Sequence, residues 1–134
     1  MRYLYLGLVC VLLINCGSGS FYRDVDPQQA EKLIRENAVN PQWMIIDLRS
    51  SREYNQGHLE NAININYASD DFEQRIDSLD RDNTYLIYCS HGARSYSALS
   101  DFKRLEFTKV YSISGGMGRW MGQNLPVIKS PEYQ

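Results

Sequence analysis

The chain has 134 residues, 43% of them apolar, and a formal net charge of −2. That length and apolar content suit one domain with one hydrophobic core. The small negative net charge and the lack of a basic run in the sequence give no reason to expect binding to nucleic acid. The three cysteines, Cys10, Cys16 and Cys89, do not have the spacing of a metal site.

The amino terminus has the pattern of an export signal. Arg2 supplies a positive start, and the apolar and aromatic run at residues 3–14 is shorter than the roughly 20 residues that cross a bilayer. We therefore predict a signal peptide over residues 1–15. The ending Leu13-Ile14-Asn15-Cys16 resembles the lipobox of bacterial lipoproteins. That likeness implies that Cys16 is lipidated and anchors the protein on the periplasmic or cell-surface side of a bacterial membrane. An ordinary cleaved signal peptide and an uncleaved anchor are the alternatives.

The rest of the chain alternates between strand and helix patterns. After the tether at residues 16–20, which is rich in glycine and serine, we expect a domain over residues 21–134. Runs rich in apolar and β-forming residues predict strands at residues 21–25, 43–46, 62–66, 84–88 and 109–113. Apolar residues at helical spacing predict helices that begin near residues 27, 71, 95 and 116. This alternation predicts an α/β fold with a parallel sheet that is covered on both faces.

A cysteine follows the fourth predicted strand and precedes a tight turn into a helix. The segment is Cys89-Ser90-His91-Gly92-Ala93-Arg94-Ser95. Ligands bind at the carboxyl ends of parallel strands, and the N–H groups and dipole of a helix start stabilise an anion. With the positive charge of Arg94, they predict an accessible Cys89 thiolate with a lowered pKa, nucleophilic near neutral pH. A buried structural cysteine is the alternative, but serine, histidine, glycine and arginine are not typical core neighbours.

Charged residues follow the second predicted strand at the same edge of the sheet. Asp47 and Arg49 are two residues apart, so they share a face at the strand end. We expect them to form an ion-pair network with Glu53 that shapes the loop rather than reacts. The reason is that a carboxylate beside Cys89 would raise the pKa of its thiol. His58 is expected to hydrogen-bond a turn and fix its shape.

Three stretches resemble signatures of one family, the single-domain rhodaneses, which are thiosulfate sulfurtransferases. The Cys89 loop is similar to the active-site loop of that family. Residues 47–62, which contain Asp47-Leu48-Arg49, Glu53-Tyr54 and Gly57-His58-Leu59-Glu60-Asn61-Ala62, are similar to its upstream signature. Gly115-Gly116-Met117-Gly118-Arg119-Trp120 resembles its Gly-Gly-x-x-x-Trp segment. The resemblance covers residues 21–127 and implies a rhodanese-like three-layer α/β/α domain with a central, mostly parallel five-stranded sheet.

The resemblance also implies a reaction. In that reaction the Cys89 thiolate takes the outer sulfur of a small anionic donor such as thiosulfate. It then passes this sulfur from a Cys89 persulfide to a thiol or to cyanide. Arg94 is the candidate for binding the donor. The other residues implied are the loop residues Ser90, His91, Gly92, Ala93 and Ser95 and the supporting residues Asp47, Arg49, Glu53 and His58. No metal and no organic cofactor is implied.

Two other functions fit parts of the same pattern. A sulfur-carrier or redox module that serves a protein partner, with little turnover of free thiosulfate, would have the same loop. A phosphatase of the related fold is disfavoured, because its loop has one residue more between cysteine and arginine than the segment from Ser90 to Ala93 provides. The smaller cradle suits one sulfur atom better than a phosphate group.

Overall fold

A five-stranded parallel sheet forms the centre of the structure, a computed structural model in which residues 19–131 are described. The strands are β1 (Phe21–Val25), β2 (Trp43–Asp47), β3 (Ala62–Asn64), β4 (Thr84–Tyr88) and β5 (Lys109–Ile113), in the order β1-β5-β4-β2-β3. The helices are α1 (Pro27–Glu36), α2 (Ser51–Gln56), α3 (Phe72–Asp77), α4 (Ala93–Arg104) and α5 (Gly116–Gly122). Every neighbouring pair of strands is parallel, so the predicted α/β fold is confirmed.

Both faces of the sheet carry an apolar core. Tyr85 and Ile87 of β4 belong to one cluster of buried side chains, and Leu86 and Tyr88 belong to the other. The helices add Phe72, Ile76, Ala98 and Phe102 from α3 and α4 to the first cluster, and Ala30, Met117 and Trp120 from α1 and α5 to the second. Burying one large apolar side chain contributes about 1.5–3 kcal/mol to the free energy of folding. The burial of four consecutive side chains of β4 therefore fixes this strand, and with it the position of Cys89 at its carboxyl end.

Some element boundaries differ from the prediction. Helix α2 was not predicted; it begins at a capping box in which Ser50 and Glu53 bind each other's backbone N–H groups. Strand β3 ends at Asn64 rather than at residue 66. Helix α4 begins at Ala93 rather than at Ser95, because Gly92 turns the chain directly into it with a φ of 101°.

The predicted signal peptide, Cys16 and the first part of the tether lie outside the described residues. Within residues 19–131, no helix has both the length and the apolar character that crossing a membrane requires.

Candidate functional site

Cys89 comes directly after the last residue of β4 and begins the loop that leads into α4. Since β4 lies between β5 and β2, the loop leaves the sheet near the middle of its carboxyl edge. The side chain of Cys89 is only 1% exposed. The expectation of an accessible thiol is therefore wrong, because the loop and the start of α4 enclose the sulfur.

Hydrogen-bond donors of the loop and of α4 converge on this sulfur. The N–H of Gly92 donates to Cys89 Sγ at 3.1 Å, and Ser95 Oγ lies 3.7 Å from Sγ. Burial by itself raises the pKa of the Cys89 thiol. The N–H and hydroxyl of Ser95 and the N–H groups of Gly92 and His91 outweigh that effect, so the pKa lies below its ordinary value. The predicted direction of the pKa shift is thus confirmed, and its main cause is the set of short-range donors.

A buried serine of β5 completes the surroundings of the thiol. Ser112 Oγ donates to Ser95 Oγ at 3.3 Å, and Ser95 Oγ also lies 3.0 Å from the carbonyl oxygen of Gly92, so its single hydrogen can turn either to that oxygen or to a Cys89 thiolate. Both serines are almost fully buried. The sequence analysis missed Ser112, since a serine within a strand pattern gives no sign that it lies beneath a loop elsewhere in the chain. Its contact fixes the position of the Ser95 hydroxyl.

The turn from β5 into α5 supports the backbone of the Cys89 loop. The N–H of Met117 donates to the Cys89 carbonyl at 2.8 Å, and the N–H of Gly118 donates to the Ser90 carbonyl at 2.8 Å. Gly116 has a φ of 57°, and a Cβ atom there would lie 2.3 Å from the Cys89 carbonyl oxygen. Only glycine permits so close an approach, which gives the Gly115-Gly116 motif a structural reason.

Arg94, the residue expected to bind an anion, is already ion-paired. Its Nη2 and Nη1 lie 3.2 and 3.4 Å from the two carboxylate oxygens of Glu53, and Nη2 donates to Ser90 Oγ at 2.7 Å. The Ser90 hydroxyl donates to Glu53 Oε1 at 2.6 Å. On its other side Glu53 accepts from the N–H and hydroxyl of Ser50, at 2.9 and 2.7 Å. Ser50 was also missed from sequence, although Ser50-x-x-Glu53 has the capping-box pattern.

These donors determine the charge of Glu53. Burial raises the pKa of the Glu53 carboxyl, but hydrogen bonds from Arg94, Ser90 and Ser50 hold it far below its usual range. Glu53 is therefore ionised at neutral pH.

Asp47 and Arg49 form the expected ion pair, but Glu53 is not its third member. Arg49 Nη2 lies 2.7 Å from Asp47 Oδ2, Arg49 Nε lies 3.0 Å from Asp47 Oδ1, and both side chains are buried. Arg49 also donates to the carbonyl oxygen of Gly57 at 2.5 Å. Glu53 acts on Arg49 only through its charge, and its direct ion pair is with Arg94, because α2 turns Glu53 toward the Cys89 loop.

The two histidines have different surroundings. Nδ1 of His58 lies 2.9 Å from the carbonyl oxygen of Tyr54, its ring stacks on the Tyr54 ring, and its backbone pairs with that of Ile128. His58 therefore shapes a turn, as expected. His91 is exposed at the rim of the loop, and Ala93, also exposed, is the first residue of α4. In the part of the chain that the structure describes, no group of three or more His, Cys, Asp or Glu side chains could hold a metal ion.

Comparison with known proteins gives concordant matches. The model of the Rhodanese-like domain matches residues 26–123. A Pseudomonas entomophila protein named thiosulfate sulfurtransferase GlpE is 34% identical over 102 residues, which cover 75% of this chain and 86% of that protein. The crystal structure of a rhodanese-related protein from Thermoplasma volcanium superposes with a TM-score of 0.66 at 26% identity, covering 80% of this chain and 98% of that one. The solution structure of a Rhodanese-like domain from Anabaena sp. has the same fold, with a TM-score of 0.68 at 21% identity and coverage of 83% and 82%.

Proposed function

Because this chain belongs to the rhodanese-like domain family, we propose that it is a sulfurtransferase whose nucleophile is Cys89. Its donor is thiosulfate or a similar sulfane-sulfur compound, and its acceptor is a thiol or cyanide. One observation carries the proposal: the Gly92 N–H, at 3.1 Å, and the Ser95 hydroxyl, at 3.7 Å, converge on the buried Cys89 sulfur. Such a cradle activates a cysteine as a thiolate. The Pseudomonas entomophila relative, named a thiosulfate sulfurtransferase, supports the same reaction.

The proposed reaction has two halves. In the first, the Cys89 thiolate attacks the outer sulfur of thiosulfate. The S–S bond of the donor breaks, sulfite leaves with the electron pair, and Cys89 carries a persulfide. In the second half, a thiolate or cyanide attacks the outer sulfur of that persulfide, and the Cys89 thiolate leaves. In the first half the negative charge passes from the Cys89 sulfur to the outer sulfur of the persulfide, and in the second half it returns to Cys89, so fixed N–H donors at the loop stabilise the thiolate at the start and end of the cycle.

Arg94 is proposed to meet the charge of an anionic donor. Its guanidinium keeps donors beyond those directed at Glu53 and Ser90, because it has five N–H groups in all. A donor must nevertheless share Arg94 with the carboxylate of Glu53, and this sharing affects which donors the site accepts.

We also propose that the protein works outside the cytoplasm, attached to a bacterial membrane. Residues 1–15 serve as the signal peptide, Cys16 carries the lipid, and the four tether residues that follow it, 17–20, hold the domain within roughly 10–12 Å of the membrane surface. The apolar run and the lipobox-like ending at Cys16 support this location.

The direct test is cyanide-dependent production of thiocyanate from thiosulfate by the purified protein. The Cys89→Ser variant is expected to produce none while keeping a cooperative unfolding transition, and Cys16→Ser, in detergent, serves as the matched control that keeps the activity. Exposure of the wild type to thiosulfate should add the mass of one sulfur to the peptide that contains Cys89, removable by cyanide or dithiothreitol.

Two results would contradict the proposal. Near-normal turnover by Cys89→Ser would show that Cys89 is not the nucleophile. If the wild type yields no thiocyanate and Cys89 is instead found joined to a particular protein, the domain is a carrier or redox module for that partner.

A further inference from the structure

We propose that Glu53 is a specificity-determining residue, which disfavours doubly charged donors such as thiosulfate and favours organic persulfides, R–S–SH. An organic persulfide with an uncharged R group brings at most one negative charge to the loop, whereas thiosulfate brings two. This inference rests on the proposed sulfurtransferase function and deepens it by naming the class of donor.

The first argument is that Glu53 neutralises the positive charge of Arg94 before any donor binds. Nη2 of Arg94 is committed both to Glu53 Oε1, at 3.2 Å, and to Ser90 Oγ, at 2.7 Å, while Nη1 lies 3.4 Å from Glu53 Oε2. The two side chains are about one-third exposed, so a donor meets them as a pair. When a dianion such as thiosulfate binds, the positive charge of Arg94 is therefore already neutralised by the adjacent carboxylate of Glu53.

The second argument is that Glu53 is fixed in place and cannot easily withdraw. Besides Arg94, its two oxygens accept from the Ser50 N–H at 2.9 Å, the Ser50 hydroxyl at 2.7 Å and the Ser90 hydroxyl at 2.6 Å. These bonds tie the carboxylate to the first turn of α2 and to the residue that follows Cys89. The charge of Glu53 thus stays beside Arg94 and Ser90 while the donor binds, and it repels negative charge that the donor brings to Arg94.

The third argument is the character of the space beside Glu53. A cavity of about 190 Å³ is lined by the apolar side chains of Met117, Met121 and Val127, by the charged residues Glu53, Arg49 and Lys129, and by Gln56 and Gly57. It abuts the Cys89 loop, because the Met117 N–H donates to the Cys89 carbonyl at 2.8 Å. The methionine and valine side chains suit the carbon skeleton of an organic thiol, which thiosulfate lacks. The charge of Arg49 is already balanced by Asp47 at 2.7 Å, so the apolar part of the cavity is what distinguishes the two donors.

The transfer from such a donor balances without any further reactant. The Cys89 thiolate attacks the terminal sulfur of R–S–SH, the S–S bond of the donor breaks, and the electron pair leaves on R–S⁻. Cys89 then carries –S–SH, and one negative charge is present before and after the step. The leaving thiolate takes a proton from water.

The test compares two donors on two matched variants of the full chain. Thiosulfate and the persulfide of N-acetylcysteine methyl ester, whose thiol part is uncharged, are each mixed with the protein. The second-order rate constant for adding one sulfur to the Cys89 peptide is then measured by mass spectrometry. In Glu53→Gln, the ratio of the thiosulfate constant to the persulfide constant is expected to rise about tenfold. Glu73→Gln is the control, since Glu73 also pairs with an arginine, Arg104, but on the exposed surface.

An unchanged ratio in a folded Glu53→Gln protein overturns this inference alone. Failure of both donors to add sulfur to the wild type refutes the proposed function and this inference with it.

If Glu53→Gln does not fold, the salt dependence of the wild type decides. Raising the ionic strength from about 10 mM to about 100 mM shortens the Debye length from about 30 Å to about 10 Å. The second-order rate constant with thiosulfate is expected to stay the same or to increase, because screening weakens the repulsion between Glu53 and the dianion. A several-fold fall, with the persulfide constant unchanged, means that the loop attracts the dianion and overturns the inference.

Discussion

Replacing Gly116 with alanine should force the α5 turn away from the Cys89 loop. A Cβ atom at this position would lie 2.3 Å from the Cys89 carbonyl oxygen and 2.8 Å from the Ser90 carbonyl carbon. Both obstacles are backbone atoms, which cannot rotate aside as a long side chain can. The backbone of Gly116 also has a φ of 57°, a region that side-chain-bearing residues rarely adopt.

The cost of this substitution follows from the contacts that it breaks. Holding alanine in the left-handed region costs about 1–2 kcal/mol. Separating the turn from the loop removes the bonds from Met117 and Gly118 to the loop carbonyls, each worth about 1 kcal/mol. We therefore expect the free energy of unfolding to fall by about 3–4 kcal/mol, a large part of the ~5–15 kcal/mol of a typical domain.

Urea unfolding, followed by circular dichroism, measures this loss, and the pH dependence of Cys89 alkylation by iodoacetamide reports on the loop. Gly122→Ala is the matched control, because it lies in the same helix and a Cβ atom there meets nothing within 4 Å. Its unfolding free energy should change by no more than about 1 kcal/mol. If Gly116→Ala is as stable as Gly122→Ala and its alkylation profile matches that of the wild type, the proposed support of the loop by α5 is refuted.

Three further substitutions test the site and the anchor. Ser95→Ala should raise the pKa of Cys89, because a hydrogen bond to the thiolate is lost, so Cys89 alkylation should reach half its maximum rate at higher pH. Ser97 is exposed on the same helix, so Ser97→Ala should leave the pH profile of alkylation unchanged. Identical profiles for the wild type and both variants would count against stabilisation of the thiolate by Ser95. Arg94→Ala leaves the carboxylate of Glu53 without its paired cation, so KM should rise roughly tenfold or more for thiosulfate and less for an uncharged persulfide. An equal rise in KM with both donors would show that Arg94 only shapes the loop. Cys16→Ser should be exported yet no longer sediment with membranes, and unchanged attachment would refute lipidation at this residue.

The features that were predictable from sequence are those encoded by local patterns. The run Thr84–Tyr88 is apolar without alternation, which is the pattern of a strand buried on both faces, and it places Cys89 at a sheet edge. Gly92 marks the turn into α4, since its positive φ suits glycine. Asp47 and Arg49, two residues apart at a strand end, lie within reach of each other through short-range geometry alone.

The features that were missed depend on contacts between distant segments. The partner of Glu53 is Arg94, and nothing local to either residue encodes that α2 brings them together. Ser112 reaches Ser95 only because β5 lies beside β4. The burial of the Cys89 thiol has the same origin, since exposure depends on how several loops close over one point.

The pairing of β1 with β5 affects how this chain is made. Phe21 pairs with Lys109, so the first strand of the domain finds its neighbour only after almost all of the domain has left the ribosome. At ~5–20 residues per second this delay is several seconds, during which the growing chain cannot close its sheet. A newly made polypeptide that stays open for this long can be threaded through a membrane pore before it folds. The strand order thus delays completion of the sheet until synthesis is nearly over, which is compatible with the proposed export of the chain.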